Sequence, residues 1–181
     1  MNKRLIKIIS IYEIVGGILG VIYCFLIVAL SVKSIFNSQV SGTERLITFL
    51  LVAAVLSLYI LTIAAGLFLW KGSGRGYTLS VLAQCFQIPY IITSGLTYIF
   101  ISGAQLGVAV GTVAGDIKLS LLLYLGSKFG IFFNSEVNST VIGINIVPIL
   151  LIKYLKNAMK EKDQTNETGN DDLHDEHIAI T

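Results

Sequence analysis

Along residues 8–31 the hydrophobic positions show no period, because nearly every position is apolar and the only charge is Glu13. Residues 46–70 and 76–115 carry no charge at all. Each stretch exceeds the roughly 20 apolar residues that cross a hydrocarbon core of about 30 Å. The pattern therefore predicts membrane helices at about 8–32, 46–70 and 77–101. Trp70 closes the second at an interface, where amphipathic rings are favoured. "KGSGRG" (71–76) is short enough to demand an antiparallel return, and Pro89 predicts a kink in the third helix.

Beyond residue 102 the pattern changes to period two. Ile117, Leu119, Leu121, Leu123 and Leu125 alternate with Lys118, Ser120, Leu122, Tyr124 and Gly126. Phe129, Ile131 and Phe133 alternate with Lys128, Gly130, Phe132 and Asn134. Alternation is the strand signature, and Gly126-Ser127 between two such runs reads as a hairpin. Leu106, Val108 and Val110 suggest an earlier strand, with "AGD" (114–116) as its turn. The expectation is an antiparallel β meander over about 105–134. An open sheet edge is not tolerated in lipid, so the meander is placed outside the hydrocarbon, capping the helices.

A fourth helix is expected over about 137–156. Its uncharged part covers only Val137–Ile152, but Lys153 and Lys156 can snorkel to the interface. The remainder is acidic, with six acids and no Lys or Arg after Lys162, and reads as a disordered tail over 161–181. The resulting fold class is a membrane α-helical protein. It is a four-transmembrane-helix bundle over residues 1–160, with a small extracytoplasmic β meander between helices 3 and 4 and an acidic tail.

Composition agrees with a membrane protein. The 181 residues are 54% hydrophobic and 13% charged, with a mean hydropathy of +0.78, where soluble domains carry about 25% charged residues. The net charge of +2 conceals a basic body and an acidic tail. With both ends cytoplasmic, Lys3, Arg4, Lys7, Lys71, Arg75, Lys153, Lys156, Lys160 and Lys162 lie inside, against Lys33, Arg45, Lys118 and Lys128 outside. That distribution satisfies the positive-inside rule. The first stretch is longer than a signal-peptide core and no small-x-small site comes after it, so it is expected to remain as a helix. Cys24 and Cys85 fall within apolar stretches and read as small apolar residues.

Glu13 is the residue that needs explaining. Its helical neighbours Gly16, Gly17, Gly20 and Cys24 share one face, and Gly16-x-x-x-Gly20 is the pattern that lets membrane helices approach closely. The carboxyl thus points along a packing seam. At 1.5 Å per residue, Glu13 lies roughly 7–8 Å inside the inner boundary, Gln84 roughly 10 Å, and Thr62 and Asn145 roughly 10–12 Å. Gln87 is one turn further along the face of Gln84. Glu13, Thr62, Gln84, Gln87 and Asn145 are therefore the candidate intramembrane polar layer. Intramembrane ionisable groups are functional candidates by default, and the competing reading is structural glue, a carboxyl satisfied by amides and hydroxyls.

Other motifs change little. "GSGRG" lacks the Gly-Lys-Ser/Thr ending of a phosphate loop and reads as a contact to headgroups. "HDEH" (174–177) lacks the convergent ligands that a zinc site needs. No nucleophile–base pair is present, so no enzyme, cofactor or nucleic-acid partner is expected. "YEIVGG", "LGSKFGIFF" and "IGIN" resemble features of small bacterial multi-pass inner-membrane proteins, over roughly Ile8 to Leu155. The resemblance implies an inner-membrane location and carries no chemistry. The expected partners are the lipid bilayer and either further copies or another membrane protein. The expected role is an accessory or scaffold component acting by helix association, with a small oligomeric transporter or channel component using Glu13 as the alternative.

Overall fold

The computed structural model describes residues 2–35, 41–113, 116–133 and 139–176. The chain forms four helices and a four-stranded antiparallel sheet. The elements are α1 (Lys3–Ile35), α2 (Gly42–Trp70), α3 (Gly74–Cys85), β1 (Pro89–Ile92), β2 (Leu96–Val113), β3 (Asp116–Phe133), β4 (Ser139–Asn145) and α4 (Ile146–Glu176). Two of the helices, α1 and α2, are long and apolar enough to cross a membrane. Ser41 opens α2 with a capping box: its hydroxyl accepts the Glu44 amide, and the Glu44 carboxylate accepts the Ser41 amide, which satisfies two orphan donors.

The last two expected helices are corrected. The segment read as helix 77–101 is helical only to Cys85. At Pro89 the missing N–H and the constraint on the preceding residue end the helix. The residues beyond it, Tyr90, Ile91 and Ile92 and then Thr97 to Ile101, are largely aromatic and β-branched and pair as β1 and β2. α3 has twelve residues, about 18 Å, too short to cross alone. The segment read as helix 137–156 opens instead as strand β4, and α4 begins at Ile146, where Asn145 Oδ1 accepts the Val147 amide as an N-cap. α4 then continues to Glu176, through most of the stretch for which the sequence predicts no order.

The expected hairpin at Gly126-Ser127 is corrected as well. β3 runs unbroken through it, paired with β2 along its whole length, Leu96 opposite Phe133 through to Val113 opposite Asp116. At the midpoint Gly103 stands opposite Gly126, with φ of 111° and 126°, a region only glycine enters freely. The ladder folds in half there. The first half of β2 pairs with β1, the second half with β4, and β1 pairs with β4. The sheet, spanning 89–145 rather than 105–134, thereby curls into a half-barrel.

Nor does the sheet cap the helices; it packs against their middles. Phe100 packs tilted against Tyr59 of α2 at 5.0 Å and meets Phe129 edge-on at 6.5 Å, with Cys24 and Val55 completing the cluster. Ser127 Oγ donates to the Gly16 carbonyl at 2.6 Å. A second core at the basic end joins Ile6 and Ile9 of α1, Leu69 of α2, Tyr77 of α3 and Leu155 and Ala158 of α4. Lys7 stands 5.5 Å over the Trp70 ring and Lys162 5.8 Å over the Tyr77 ring, so cations and aromatic rings share that rim.

The small residues of α1 divide between two neighbours. A Cβ on Gly17 would meet Ile63 and the Tyr59 carbonyl, one on Gly20 would enter the Tyr59 ring, and one on Gly16 would meet Ser102 of β2 at 2.9 Å. The seam read as helix–helix is thus helix–helix at Gly17 and Gly20 and helix–strand at Gly16. Gly20→Ala should lower the melting temperature in detergent, by overpacking worth about 1–3 kcal/mol. Gly42→Ala, where a Cβ meets nothing within 4 Å, should leave it unchanged.

Candidate intramembrane polar site

Glu13 is completely buried. It lies on the α1 face that meets α2 and α3, and α3 supplies both of its partners: Ser80 Oγ donates to Oε2 at 2.7 Å and Gln84 Nε2 to Oε1 at 3.0 Å. Ser80 and Gln84 are four residues apart and therefore share a helix face. α2 closes the site at Gly66, where a Cβ would meet the Ser10 carbonyl at 2.8 Å and Glu13 Cβ at 3.1 Å. Each carboxyl oxygen receives one neutral donor. The arrangement holds a carboxyl in place.

The other expected members do different work. Gln87, one turn beyond Gln84, accepts the Ser102 amide on Oε1 at 2.9 Å. Asn145 accepts the Leu106 amide at 3.1 Å and donates to the Ala104 carbonyl at 3.3 Å. Tyr12, which the sequence does not single out, accepts the Ala104 amide at 2.9 Å. These three side chains satisfy the backbone of β2 on both sides of Gly103, where the strand bends away from the straight path. Thr62 Oγ1 bonds the Leu58 carbonyl of its own helix at 2.9 Å, the local back-bond of a buried helical threonine.

The expected layer thus resolves into two units. Glu13 and Gln84 come together, joined by Ser80; Gln87 and Asn145 tie the bent strand to α3 and α4; Thr62 serves its own helix. Ser80 was findable, since it stands one turn before Gln84. Tyr12 was not, because its partner lies 92 residues away. Two buried oxygens, Gln84 Oε1 and Ser102 Oγ, have no hydrogen-bond partner among the described residues.

A groove of about 500 Å³ opens elsewhere, between α1, α2 and β3, lined by Tyr23, Cys24, Val28, Thr48, Val55 and Phe129. It does not reach Glu13. Among the described residues no three His, Cys, Asp or Glu side chains are placed to share a metal ion, and the side chains of "HDEH" (174–177) lie outside the described ones. The chain matches no protein-family model, no curated protein and no solved structure, so the reading of this site rests on its geometry.

Glu13→Gln should be nearly silent in detergent melting, because an amide keeps an acceptor for Ser80 or Gln84. Glu13→Leu leaves the Ser80 hydroxyl and the Gln84 amide buried without this acceptor, and should cost on the order of 0.6–2 kcal/mol. A double-mutant cycle of Glu13→Leu with Ser80→Ala should show coupling, since the two side chains share one bond.

Proposed function

We propose that this chain is a non-enzymatic integral protein of the bacterial inner membrane, an accessory or scaffold component that acts by association. In this reading α1 and α2 cross the bilayer, and α3, the half-barrel and α4 lie beside them, so that the protein passes the membrane more than once. The observation that carries it is the state of Glu13: completely buried, bonded on both oxygens to neutral donors of α3, and away from the groove. A carboxyl so enclosed holds helices together. A carrier needs a group that meets water on each side in turn.

The packing of Leu155 and Ala158 against Ile6 and Ile9 supports an N-terminus and an emerging α4 on the same side. The basic rim of Lys7 and Lys162 favours the cytoplasm for that side. The alternative, a small oligomeric transporter or channel component using Glu13, draws on one observation, the unpartnered Gln84 Oε1 beside the carboxyl. It predicts a Glu13→Gln variant that melts normally and loses function in cells. The scaffold reading predicts that both are retained.

Retention in the membrane pellet after alkaline carbonate tests the first claim. Orientation is tested with an impermeant maleimide, after Cys24 and Cys85 are replaced by Ser. Ser94→Cys, exposed in the β1–β2 turn, should label in intact cells, and Ser73→Cys, between α2 and α3, only after the cells are opened. The reverse pattern would defeat the orientation.

A further inference from the structure

The pairings of the half-barrel leave two free edges, and both belong to β3. β1 and β4 each have a strand on either side, and among the described residues β3 pairs only with β2. Because the ladder folds at Gly103 and Gly126, the order around the sheet is β3 (127–133), β2 (96–102), β1, β4, β2 (104–113) and β3 (116–125). Every neighbour in that series is antiparallel, so the two halves of β3 run in opposite directions, at opposite edges. Between them the barrel lacks a wall.

The strands stand alongside α1. Ser127 bonds to Gly16, Phe129 packs near Cys24, and Phe129, Gly130 and Ile131 share the groove with Tyr23, Ile27 and Val28. From Ser127 to Ile131, about 13 Å of strand keeps pace with roughly 15–18 Å of α1. Residues directly opposite one another share a face, so Leu119, Val110 and Ile142 form one outer row, Leu121, Val108 and Ile144 a second, and Leu123 and Leu106 a third. Thr112 and Thr140 share that face beside Ile117, at the end far from the bend. Along β3, Ile117, Leu119, Leu121, Leu123 and Leu125 are each 74–80% exposed. The inner face carries Gln105, Gly107, Lys118, Ser120, Leu122 and Tyr124. Such alternation suits a sheet that stands in lipid, but open sheet edges are not found in hydrocarbon. Both edges of β3 need a strand.

We infer that a second copy closes the barrel, about a two-fold axis that runs parallel to the strands through the open side. The inference rests on the membrane-embedded reading above and names the surface of association. An axis in that direction leaves every strand and helix pointing the same way across the bilayer, and it keeps the inner face inward. It sets residues 127–133 of each copy beside residues 116–125 of the other. These segments meet antiparallel, because the two halves of β3 already run in opposite directions within one copy. All four edges are then paired, and each copy offers the same patch, as a two-fold interface requires.

The side chains along this seam are complementary. Matching residues equally far from Gly126 sets Phe129 opposite Leu123 of the second copy and Ile131 opposite Leu121 of the second copy, apolar on apolar at the outer face. At the inner face Gly130 leaves room for Leu122 of the second copy. Lys128 stands opposite the Tyr124 ring of the second copy, within reach of a cation–π contact, and no like charges are opposed. Leu121 and Leu123 of the second copy also come to lie beside the groove of about 500 Å³ that runs between α1, α2 and β3. The exposed leucines of one copy meet the apolar groove of the other.

The test is disulfide formation in native membranes with copper phenanthroline, in full-length chain with Cys24 and Cys85 replaced by Ser. Opposed Cα atoms of antiparallel strands, about 4.5–5.5 Å apart, lie within disulfide reach. Leu121→Cys together with Ile131→Cys in one chain should therefore run as a covalent dimer on non-reducing gels. Either substitution alone should stay monomeric, because each cysteine then faces an isoleucine or a leucine across the seam. The purified unlinked protein should sediment in detergent at twice the mass of the chain, and amides at 117–125 and 127–131 should gain hydrogen-exchange protection as the dimer forms. A Leu121→Cys chain that links to itself overturns the inference, since it joins like edges. So does a double variant joined only to a different protein. A carbonate-resistant protein that sediments as a monomer, with no link in the double variant, overturns it and leaves the membrane reading intact. Failure of the carbonate test strikes the membrane reading, and the inference with it.

Discussion

The bend in the β2–β3 ladder is the constraint on which the other placements depend. A flat ladder of this length would leave β1 and β4 end to end along one edge of β2; folding it at Gly103 and Gly126 lets the two pair with each other. Bending frees backbone groups from regular pairing, and beside apolar helices there is little water to receive them. Three elements meet that need. Gln87 reaches from the chain just after α3 to Ser102, Tyr12 from α1 to Ala104, and Asn145 from the end of β4 to Ala104 and Leu106. On the partner strand the Tyr124 hydroxyl donates to the Ser127 carbonyl at 3.3 Å. The polar groups buried in this greasy protein are where they are because a strand turns a corner there.

Seen from that corner, Glu13 becomes intelligible. It fastens α3 to α1 one turn before Gln87 must meet Ser102, and Gly16, on the next turn of α1, lets the strand approach. The carboxyl sets the height of α3 against α1, and that height decides whether Gln87 reaches the bend. Gly66 lets α2 close over the same point. A single buried acid thus stands where three helices meet, bonded to α3 and closed over by α2.

Much of the helical part was legible in the sequence, and much of the sheet was not. The two long helices announced themselves by unbroken hydrophobicity, and the leucines of β3 by alternation, because their second face carries Lys118, Ser120 and Tyr124 beside a single Leu122. β1 and the first half of β2 gave no such alternation. They have protein on both sides, so Ile99, Phe100 and Ile101 are all buried, and a strand apolar on both faces looks like a membrane helix until length and β-branching are weighed. The same ambiguity hid β4, whose seven residues were absorbed into a helix that starts only at Ile146. Gly126-Ser127 has the composition of a hairpin, and the glycine does take a positive φ; only its pairing with Gly103 shows that the chain goes on. For the site, helical spacing sufficed to bring Glu13 and Gln84 to one level. Partners across the fold, Tyr12 with Ala104 and Ser127 with Gly16, leave no trace in local pattern.

The way β1 is held has a consequence for biosynthesis. Ile92 pairs with Thr97 on one side and with Val141 on the other, so one edge finds its mate at once and the other waits for a segment made much later. At roughly 5–20 residues per second of translation, that delay is on the order of 2–10 s. During it, α1 and α2 are already complete and the β1–β2 hairpin hangs beside them with an open side. The nascent chain therefore passes through a stage in which one edge of β1 has nothing of its own to pair with. Closure comes only when β4 arrives, and α4, directly behind it in the chain, seals the basic rim.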